Sequence, residues 1–265
     1  MAAKIPAYSG EIIHSCADEY GAIAVVEEAT SRTLHFGSTA RQSTMYLNNS
    51  VRLALSYTRC MLGGLLFAPP PRRALVLGLG GGSLPKFLLH HYGECHVEVV
   101  EMRPLVAETA RNYFALPEDD RLTVHLQKAE SFLTRDDVGP YDWIFVDLHN
   151  SDGMAPVLDQ AEFFAICQRL LQPGGVLAAN LWTGDQSDIL ARIGARLHQS
   201  FKEQVIFLPV ARKRNTVALA FNSVLPSLDV QPTRQHANEL QMRYDIEFVD
   251  FLWDILRYNR NLQKS

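Results

Sequence analysis

The stretch from Arg73 to Glu101 constrains the fold of this chain more than any other segment. It begins with a short apolar run, Ala74–Leu77, that is typical of a strand buried on both faces. Four glycines follow within five residues, and Ser83 is the expected N-cap of a helix. A second apolar run, His96–Val100, ends in Glu101. The order strand, glycine turn, helix, strand and acid predicts half of a nucleotide-binding sheet.

The glycines and the acid together predict a ligand that carries a nucleoside. Gly78, Gly80 and Gly82 allow a sharp backbone turn that a ligand can approach without an intervening side chain. The N-terminus of the following helix offers unpaired N–H groups and a partial positive charge. Glu101 lies 19 residues after Gly82, close to the usual gap of about 20 before an acid that binds ribose hydroxyls.

Composition and cysteine spacing exclude several function classes. The chain has 265 residues, of which 47% are hydrophobic and 20% charged, as in ordinary globular proteins. Its net charge of −4 does not indicate a nucleic-acid partner. No two of the four cysteines have metal-binding or redox spacing, so we expect reduced thiols in a cytoplasmic protein without a metal. The sequence has neither a signal pattern nor an apolar run long enough to span a membrane, so no membrane partner is expected.

The chain after Glu101 alternates between helical and β-prone segments, which predicts a parallel, doubly wound sheet. The predicted strands are Leu122–Leu126, Trp143–Val146 and Val176–Leu181, and the predicted helices are Arg103–Phe114, Ser131–Leu133, Gln160–Leu171 and Gln186–Phe201. Two further β runs, Gln204–Val210 and Thr216–Asn222, are too close for a helical crossover and must pair antiparallel. This Rossmann-like α/β arrangement resembles the class I S-adenosylmethionine-dependent methyltransferase fold.

Smaller elements precede and follow the sheet, and they divide the chain into residues 1–68, 69–222 and 223–265. The first segment contains a predicted hairpin, Ala22–Val26 with Thr33–Phe36, and a helix over most of Val51–Phe67. The last segment contains two helices, Arg234–Tyr244 and Glu247–Tyr258. Because an isolated hairpin is marginal and exposes an edge, we expect it to contribute to a homodimer.

Several longer motifs resemble the spermidine synthase family of polyamine aminopropyltransferases. They include Tyr20-Gly21 before the hairpin, a Tyr57-bearing helix that leads into VLGLGGGSLPKFL, and the segments LPEDDRLTVH, YDWIFVD and LQPGGVLAANLW. The resemblance implies a transferase of polyamine biosynthesis that moves an aminopropyl group from decarboxylated S-adenosylmethionine to an amine such as putrescine. An amine with a pKa near 10 is mostly protonated at neutral pH, so such a site needs a proton acceptor.

The resemblance assigns catalytic roles to the loop after the fourth strand. Asp147 matches the first acid of the family's Asp-x-x-Asp pattern, but the second position is Asn150, whose neutral amide cannot act as a base. Asp152 and His149 are the two candidates to replace that base, and the sequence does not choose between them.

The resemblance also assigns the binding residues. Gly78, Gly80, Gly82 and Glu101 match the nucleoside side, Gln42 a ligand-facing glutamine, and Tyr57 the tyrosine that contacts the amine. Lys128 stands where the family has the acid that receives adenine, and Glu130 is the nearest acid. Arg59 also replaces a family acid.

These departures leave two alternatives open. One is a methyltransferase that uses intact S-adenosylmethionine on a small molecule, with Arg59 facing the carboxylate of the ligand. The other is a relative that has kept the fold and lost catalysis.

Overall fold

The computed structural model describes residues 8–150, 153–182, 187–225 and 228–259. Its strands are β1 (Glu11–Asp18), β2 (Gly21–Glu27), β3 (Ser31–His35), β4 (Ser43–Tyr46), β5 (Arg73–Leu77), β6 (His96–Glu101), β7 (Leu122–Leu126), β8 (Tyr141–Val146), β9 (His149–Asn150), β10 (Gly153–Met154), β11 (Leu171–Trp182), β12 (Val205–Pro209) and β13 (Asn215–Phe221). Its α-helices are α1 (Ser56–Cys60), α2 (Ser83–His91), α3 (Pro104–Tyr113), α4 (Ala129–Leu133), α5 (Phe163–Leu170), α6 (Ser187–Ser200), α7 (Val230–Tyr244) and α8 (Phe248–Tyr258).

Seven strands form the central sheet, in the order β12-β13-β11-β8-β5-β6-β7. Strands β5, β6 and β7 run parallel, as do β8 and β11, because helical crossovers connect them. Strand β13 pairs antiparallel with both β11 and β12. The predicted fold, a mostly parallel sheet that ends in an antiparallel hairpin, is therefore confirmed.

The chain forms two compact units, neither of which is continuous in sequence. The first comprises Met1–Leu55, Arg72–Arg135 and Asp147–Ala155, and the second comprises Ser56–Pro71, Asp136–Val146 and Pro156–Ser265. The division into residues 1–68, 69–222 and 223–265 stays a prediction. None of the described helices is both long enough and apolar enough to cross a membrane.

In the first unit, the predicted hairpin is the inner pair of a larger antiparallel sheet. Strands β1, β2, β3 and β4 pair in chain order, so the sheet has four strands rather than two. Its buried face packs against α3 through a cluster of apolar side chains, Ile23, Val25, Leu34, Met45, Val106 and Phe114. The pattern missed β1, most of whose residues are exposed or half-buried, and β4, which has only four residues.

The helix predicted over most of Val51–Phe67 begins only at Ser56 and is not a single α-helix. The side-chain oxygen of Asn49 accepts hydrogen bonds from the N–H groups of Val51 and Arg52, which forms a turn ahead of the helix. Helix α1 follows and continues as a 3₁₀ helix over Met61–Leu66. Within it Gly64 lies against the Trp143 ring, where an added Cβ would be 2.7 Å from the nearest ring atom.

The observed starts of some helices differ from the predicted ones because of the local backbone structure. Ser83 is the first residue of α2 and not its N-cap, because Gly82 occupies the cap with a φ of 71° that favours glycine. A 3₁₀ turn over Pro156–Asp159 delays the start of α5 to Phe163. The predicted start of α6, Gln186, lies outside the described residues, and α6 is described from Ser187.

In the second unit, the two predicted C-terminal helices are present, and Asn259 secures the edge strand β12 to the end of α8. Its side-chain oxygen accepts from the Phe207 N–H at 2.9 Å, and its amide donates to the Phe207 carbonyl at 2.9 Å. The side chain thus pairs with the strand as another strand would, which protects an edge that would otherwise attract other chains.

In the first unit, a largely buried ion pair ties the β1–β2 turn to the chain just after β6. The Arg103 guanidinium donates to both carboxylate oxygens of Asp18, at 2.8 and 2.9 Å, and to the Gly21 carbonyl. It also lies over the Phe36 ring, 4.6 Å from the centroid. Burial acts to raise the pKa of Asp18, but the hydrogen bonds from Arg103 and the Tyr20 N–H outweigh it and lower that pKa.

We predict that Asp18→Asn destabilises the protein in a pH-dependent way. Breaking a buried pair leaves Arg103 without its counter-ion, which costs about 3 kcal/mol at pH 7. Because the folded pKa of Asp18 is lowered, its contribution is present above the unfolded pKa, near 3.9, and is lost as pH falls through the folded pKa. Urea unfolding at pH 7 and pH 3 should therefore show a smaller gap between variant and wild type at pH 3.

The matched control is Glu94→Gln. It breaks the Arg72–Glu94 pair, whose side chains are 83% and 82% exposed, and should scarcely change stability. Equal effects of the two substitutions, or a gap that does not narrow at low pH, would contradict the assignment.

Candidate active site

The turn after β5 passes so close to the end of β8 that only glycine fits at its first position. Gly78 has a φ of 93°. An added Cβ would lie 2.3 Å from the Asp147 carbonyl oxygen, far inside contact distance. The Asp147 N–H donates to the Leu77 carbonyl at 2.9 Å. These constraints place Asp147 beside the glycine turn.

The other glycines allow the turn to lie against the N-terminal sheet and the end of α3. An added Cβ at Gly81 would lie 2.8 Å from the Ser43 hydroxyl and 2.9 Å from the Phe114 ring. The same atom at Gly82 would lie 2.6 Å from Leu116. The Gln42 carbonyl is 4.0 Å from the Cβ position of Gly80, so Gln42 lies beside the turn. Its predicted contact with the ligand stays a proposal.

Glu101 ends β6 with a buried carboxylate that is 8% exposed. One of its oxygens accepts from the Leu79 N–H at 3.0 Å and the other from the Arg103 N–H at 2.9 Å. Burial raises the pKa of Glu101, and these two hydrogen bonds oppose the rise. Since a carboxylate has about four acceptor sites, the group retains capacity for two ribose hydroxyls. Glu101 therefore supports the glycine turn and is chemically suited to bind a nucleoside.

Lys86 is a buried residue of this region that the sequence did not reveal as important. Its ammonium donates to the Phe114 carbonyl at 2.5 Å, and burial lowers the pKa of Lys86 to about 8. The contact holds the end of α3, including Phe114 and the nearby Leu116, over the glycine turn. A lysine among the apolar residues of α2 was the available signal, because lysine is rarely buried without a partner.

The loop after β8 places two of the four predicted catalytic residues together. The His149 ring nitrogen Nδ1 lies 3.2 Å from a carboxylate oxygen of Asp147. The backbone of Asn150 pairs with Gly153 in the short β9–β10 hairpin. Asp152 lies outside the described residues. The contact between an acid and an imidazole forms a dyad that can hold or accept a proton.

Glu130 and Lys128 lie one loop beyond Glu101. The Gln127 N–H donates to the Glu101 carbonyl at 3.1 Å, so the chain leaves β7 next to the end of β6. Lys128 is the N-cap of α4 and Glu130 is in its first turn, and both side chains are exposed. The predicted contact of Glu130 with adenine stays a proposal.

Tyr57 and Arg59 lie on α1 in the second unit. The Arg59 guanidinium binds the Glu247 carboxylate through both Nε and Nη2, at 2.9 to 3.0 Å. This ion pair uses the Nε and Nη2 edge of the guanidinium, one of the two edges that can recognise a carboxylate. Tyr57 has other interactions in the protein, and its contact with an amine stays a proposal.

The described residues contain no group of three or more His, Cys, Asp or Glu side chains that could hold a metal ion. Three of the four cysteines are buried, and burial raises the pKa of Cys60 to about 12. These thiols are poor nucleophiles near neutral pH, since the thiolate is the reactive form.

Comparison with known proteins places the chain among polyamine enzymes. The model of the spermine/spermidine synthase domain matches residues 55–205. The polyamine aminopropyltransferase of Chromobacterium violaceum is 34% identical over 233 residues, which cover 87% of each protein. The structure of a probable spermidine synthase from Corynebacterium glutamicum superposes with a TM-score of 0.73 at 19% identity and covers 87% of this chain and 88% of its own. Human methyltransferase-like protein 13 in complex with SAH shares the fold at 23% identity, with a TM-score of 0.60 and coverage of 80% of this chain and 94% of its own.

We predict that Glu101→Gln weakens binding of decarboxylated S-adenosylmethionine by about 10- to 100-fold, as measured by calorimetry. A hydrogen bond to a charged group contributes about 1.5–3 kcal/mol, which corresponds to that range. The matched control is Glu98→Gln on the same strand, whose carboxylate binds Arg73 and His125 instead. If both variants fold and bind the nucleoside equally well, Glu101 has no role in binding.

Proposed function

The chain belongs to the spermine/spermidine synthase family, and from that premise we propose that it transfers an aminopropyl group from decarboxylated S-adenosylmethionine to a diamine such as putrescine. The chain is a transferase of the polyamine aminopropyltransferase type. The observation that carries the proposal is the 34% identity to such an enzyme over 87% of the chain. The residues of the first unit are consistent with it, because the glycine turn, Glu101 and Asp147 lie in one region.

The proposed reaction explains why these side chains are needed. The nucleophile is a neutral amine, which attacks the carbon next to the positively charged sulfur and displaces a thioether. Glu101 would hold the ribose, and the glycine turn would let the ligand approach the backbone. Asp147 would balance positive charge at the carboxyl end of β8, where such sheets bind ligands. Orientation of this kind accounts for much of the rate of a two-substrate reaction.

We predict that the purified chain binds decarboxylated S-adenosylmethionine more tightly than the intact form, and that it converts at least one diamine. Calorimetry measures the two affinities, and mass spectrometry follows aminopropyl transfer to putrescine, cadaverine and spermidine. Methyl transfer from intact S-adenosylmethionine, with no aminopropyl product from any of the three amines, would overturn the proposal. Binding of the nucleoside without either product would indicate a relative that has lost catalysis.

The surroundings of Arg59 favour the methyltransferase alternative less than the sequence did. It depended on Arg59 facing the carboxylate that decarboxylation removes. Arg59 instead binds Glu247 through two of its nitrogens, and its side chain is 22% exposed. The same ion pair offsets the positive charge that would repel a polyamine. Human methyltransferase-like protein 13 is similar in fold, and at 23% identity it supports no statement about the reaction.

The remaining proposals concern surroundings and assembly. We propose a small-molecule amine as the substrate, and neither a nucleic acid nor a membrane as a partner. We also propose that the protein needs no metal and is located in the cytoplasm. We also propose a homodimer that uses the N-terminal sheet, because β1 and β4 are its edge strands and exposed edges favour pairing.

We predict that light scattering at micromolar concentration gives the mass of a dimer. A monomer mass across that range would contradict the assembly.

A further inference from the structure

We propose that His149 is the proton acceptor of this enzyme and that Asp147 orients it, an inference that rests on the proposed aminopropyl transfer. Asn150 stands at the second position of the Asp-x-x-Asp pattern that the resemblance implies. The amide of asparagine has no basic site, so another group must accept the proton of the attacking amine.

The contact between His149 and Asp147 determines which ring nitrogen is basic. Nδ1 of His149 lies 3.2 Å from Oδ1 of Asp147, and the two side chains are only 15% and 20% exposed. An ionised carboxylate only accepts hydrogen bonds, so the proton of the neutral imidazole belongs on Nδ1. The other nitrogen, Nε2, is then left with its lone pair available as an acceptor.

Nε2 of His149 is buried and has no hydrogen-bond partner among the residues that the structure describes. A buried acceptor without a partner is unfavourable, and such groups are uncommon in native proteins. A ligand that donates a hydrogen bond at this point would satisfy it. The ammonium group of a diamine is such a donor.

The backbone holds the dyad in a defined position. His149 pairs with Met154 in the β9–β10 hairpin, and the Ala155 N–H donates to the Leu148 carbonyl at 3.0 Å. Asp147 is fixed next to the glycine turn by the bond from its N–H to Leu77. The imidazole is therefore positioned by backbone pairing on one side and by a carboxylate on the other, which limits the reorganisation that catalysis would require.

The proposed step balances in protons and charge. The ammonium group of the acceptor gives one proton to Nε2 of His149, and the resulting neutral amine forms a C–N bond to the methylene carbon next to the sulfonium. The C–S bond breaks and its electron pair stays on sulfur, which becomes a neutral thioether. The products are a secondary ammonium, the thioether and a His149 imidazolium paired with Asp147. Solvent removes the proton from His149 before the next turnover.

The first test compares His149→Ala and His149→Gln with the full-length wild type. Glutamine can still donate to Asp147 but cannot take a proton at neutral pH. Both variants should lose about 10²- to 10⁴-fold in kcat for putrescine while binding decarboxylated S-adenosylmethionine within about 2-fold of wild type. The matched control is His90→Ala, which removes an exposed histidine from α2.

The second test separates proton transfer from packing. Free imidazole should restore part of the activity of His149→Ala. A fluorinated putrescine, whose amine is less basic and largely neutral at the assay pH, should lose much less activity in the variant than putrescine does. A merely structural histidine would show neither response.

Each outcome supports or overturns the proposal that His149 accepts the proton. If wild type transfers the aminopropyl group and the His149 variants match it, the inference is overturned while the proposed function stands. If the variants lose activity equally for both amines and imidazole restores none, His149 has only a positioning role and the inference is again overturned. If wild type binds the nucleoside and transfers nothing, the proposed function fails and the inference fails with it.

Discussion

The hydrogen bonds from the Leu79 and Arg103 N–H groups to the Glu101 carboxylate organise the first unit. They join the glycine turn after β5 to the chain after β6, so one buried charge determines the position of two loops. The positive charge of Arg103 acts to lower the pKa of Glu101, and the Arg103 side chain in turn pairs with Asp18. The sequence predicted Glu101 only as a ribose-binding residue, but its carboxylate also joins these two loops. Substitution of Glu101 would therefore change the loop positions as well as remove the proposed ribose contact.

The N-terminal sheet contributes to that site instead of being an independent attachment. Ser43 on β4 lies against Gly81, and Phe114, which packs in the core of the N-terminal sheet, contacts the same glycine. Lys86 adds a hydrogen bond to the Phe114 carbonyl from within α2. Because residues of the N-terminal sheet and the end of α3 pack against the glycines of this turn, the path of the glycine turn depends on residues far away in sequence.

Much of the fold was predictable from local patterns, and the failures have identifiable causes. Continuous apolar runs predicted β5, β6 and β8 because buried parallel strands need no alternation. The helix predicted over most of Val51–Phe67 begins later than expected and changes to 3₁₀ at Met61, and hydrophobic spacing alone does not indicate either boundary. The partner of Arg59 was not predictable, since Glu247 is 188 residues away. By contrast, Asp147 and His149 are two residues apart in an extended segment, and residues at that spacing share a face, so their contact was open to prediction.

In the proposed reaction, the contact between Asp147 and His149 would balance charge without an acid at Asn150. Before reaction the site contains a sulfonium and an ammonium, and afterwards a secondary ammonium and an imidazolium, so the number of positive charges is unchanged. What changes is their position, because one charge moves from sulfur to a ring that directly contacts Asp147. A carboxylate that interacts more strongly with the charge as it arrives stabilises the transition state more than the substrates, which is the condition for rate enhancement. In the proposed mechanism Asp147 would therefore affect the rate because its imidazole neighbour acquires charge during the reaction.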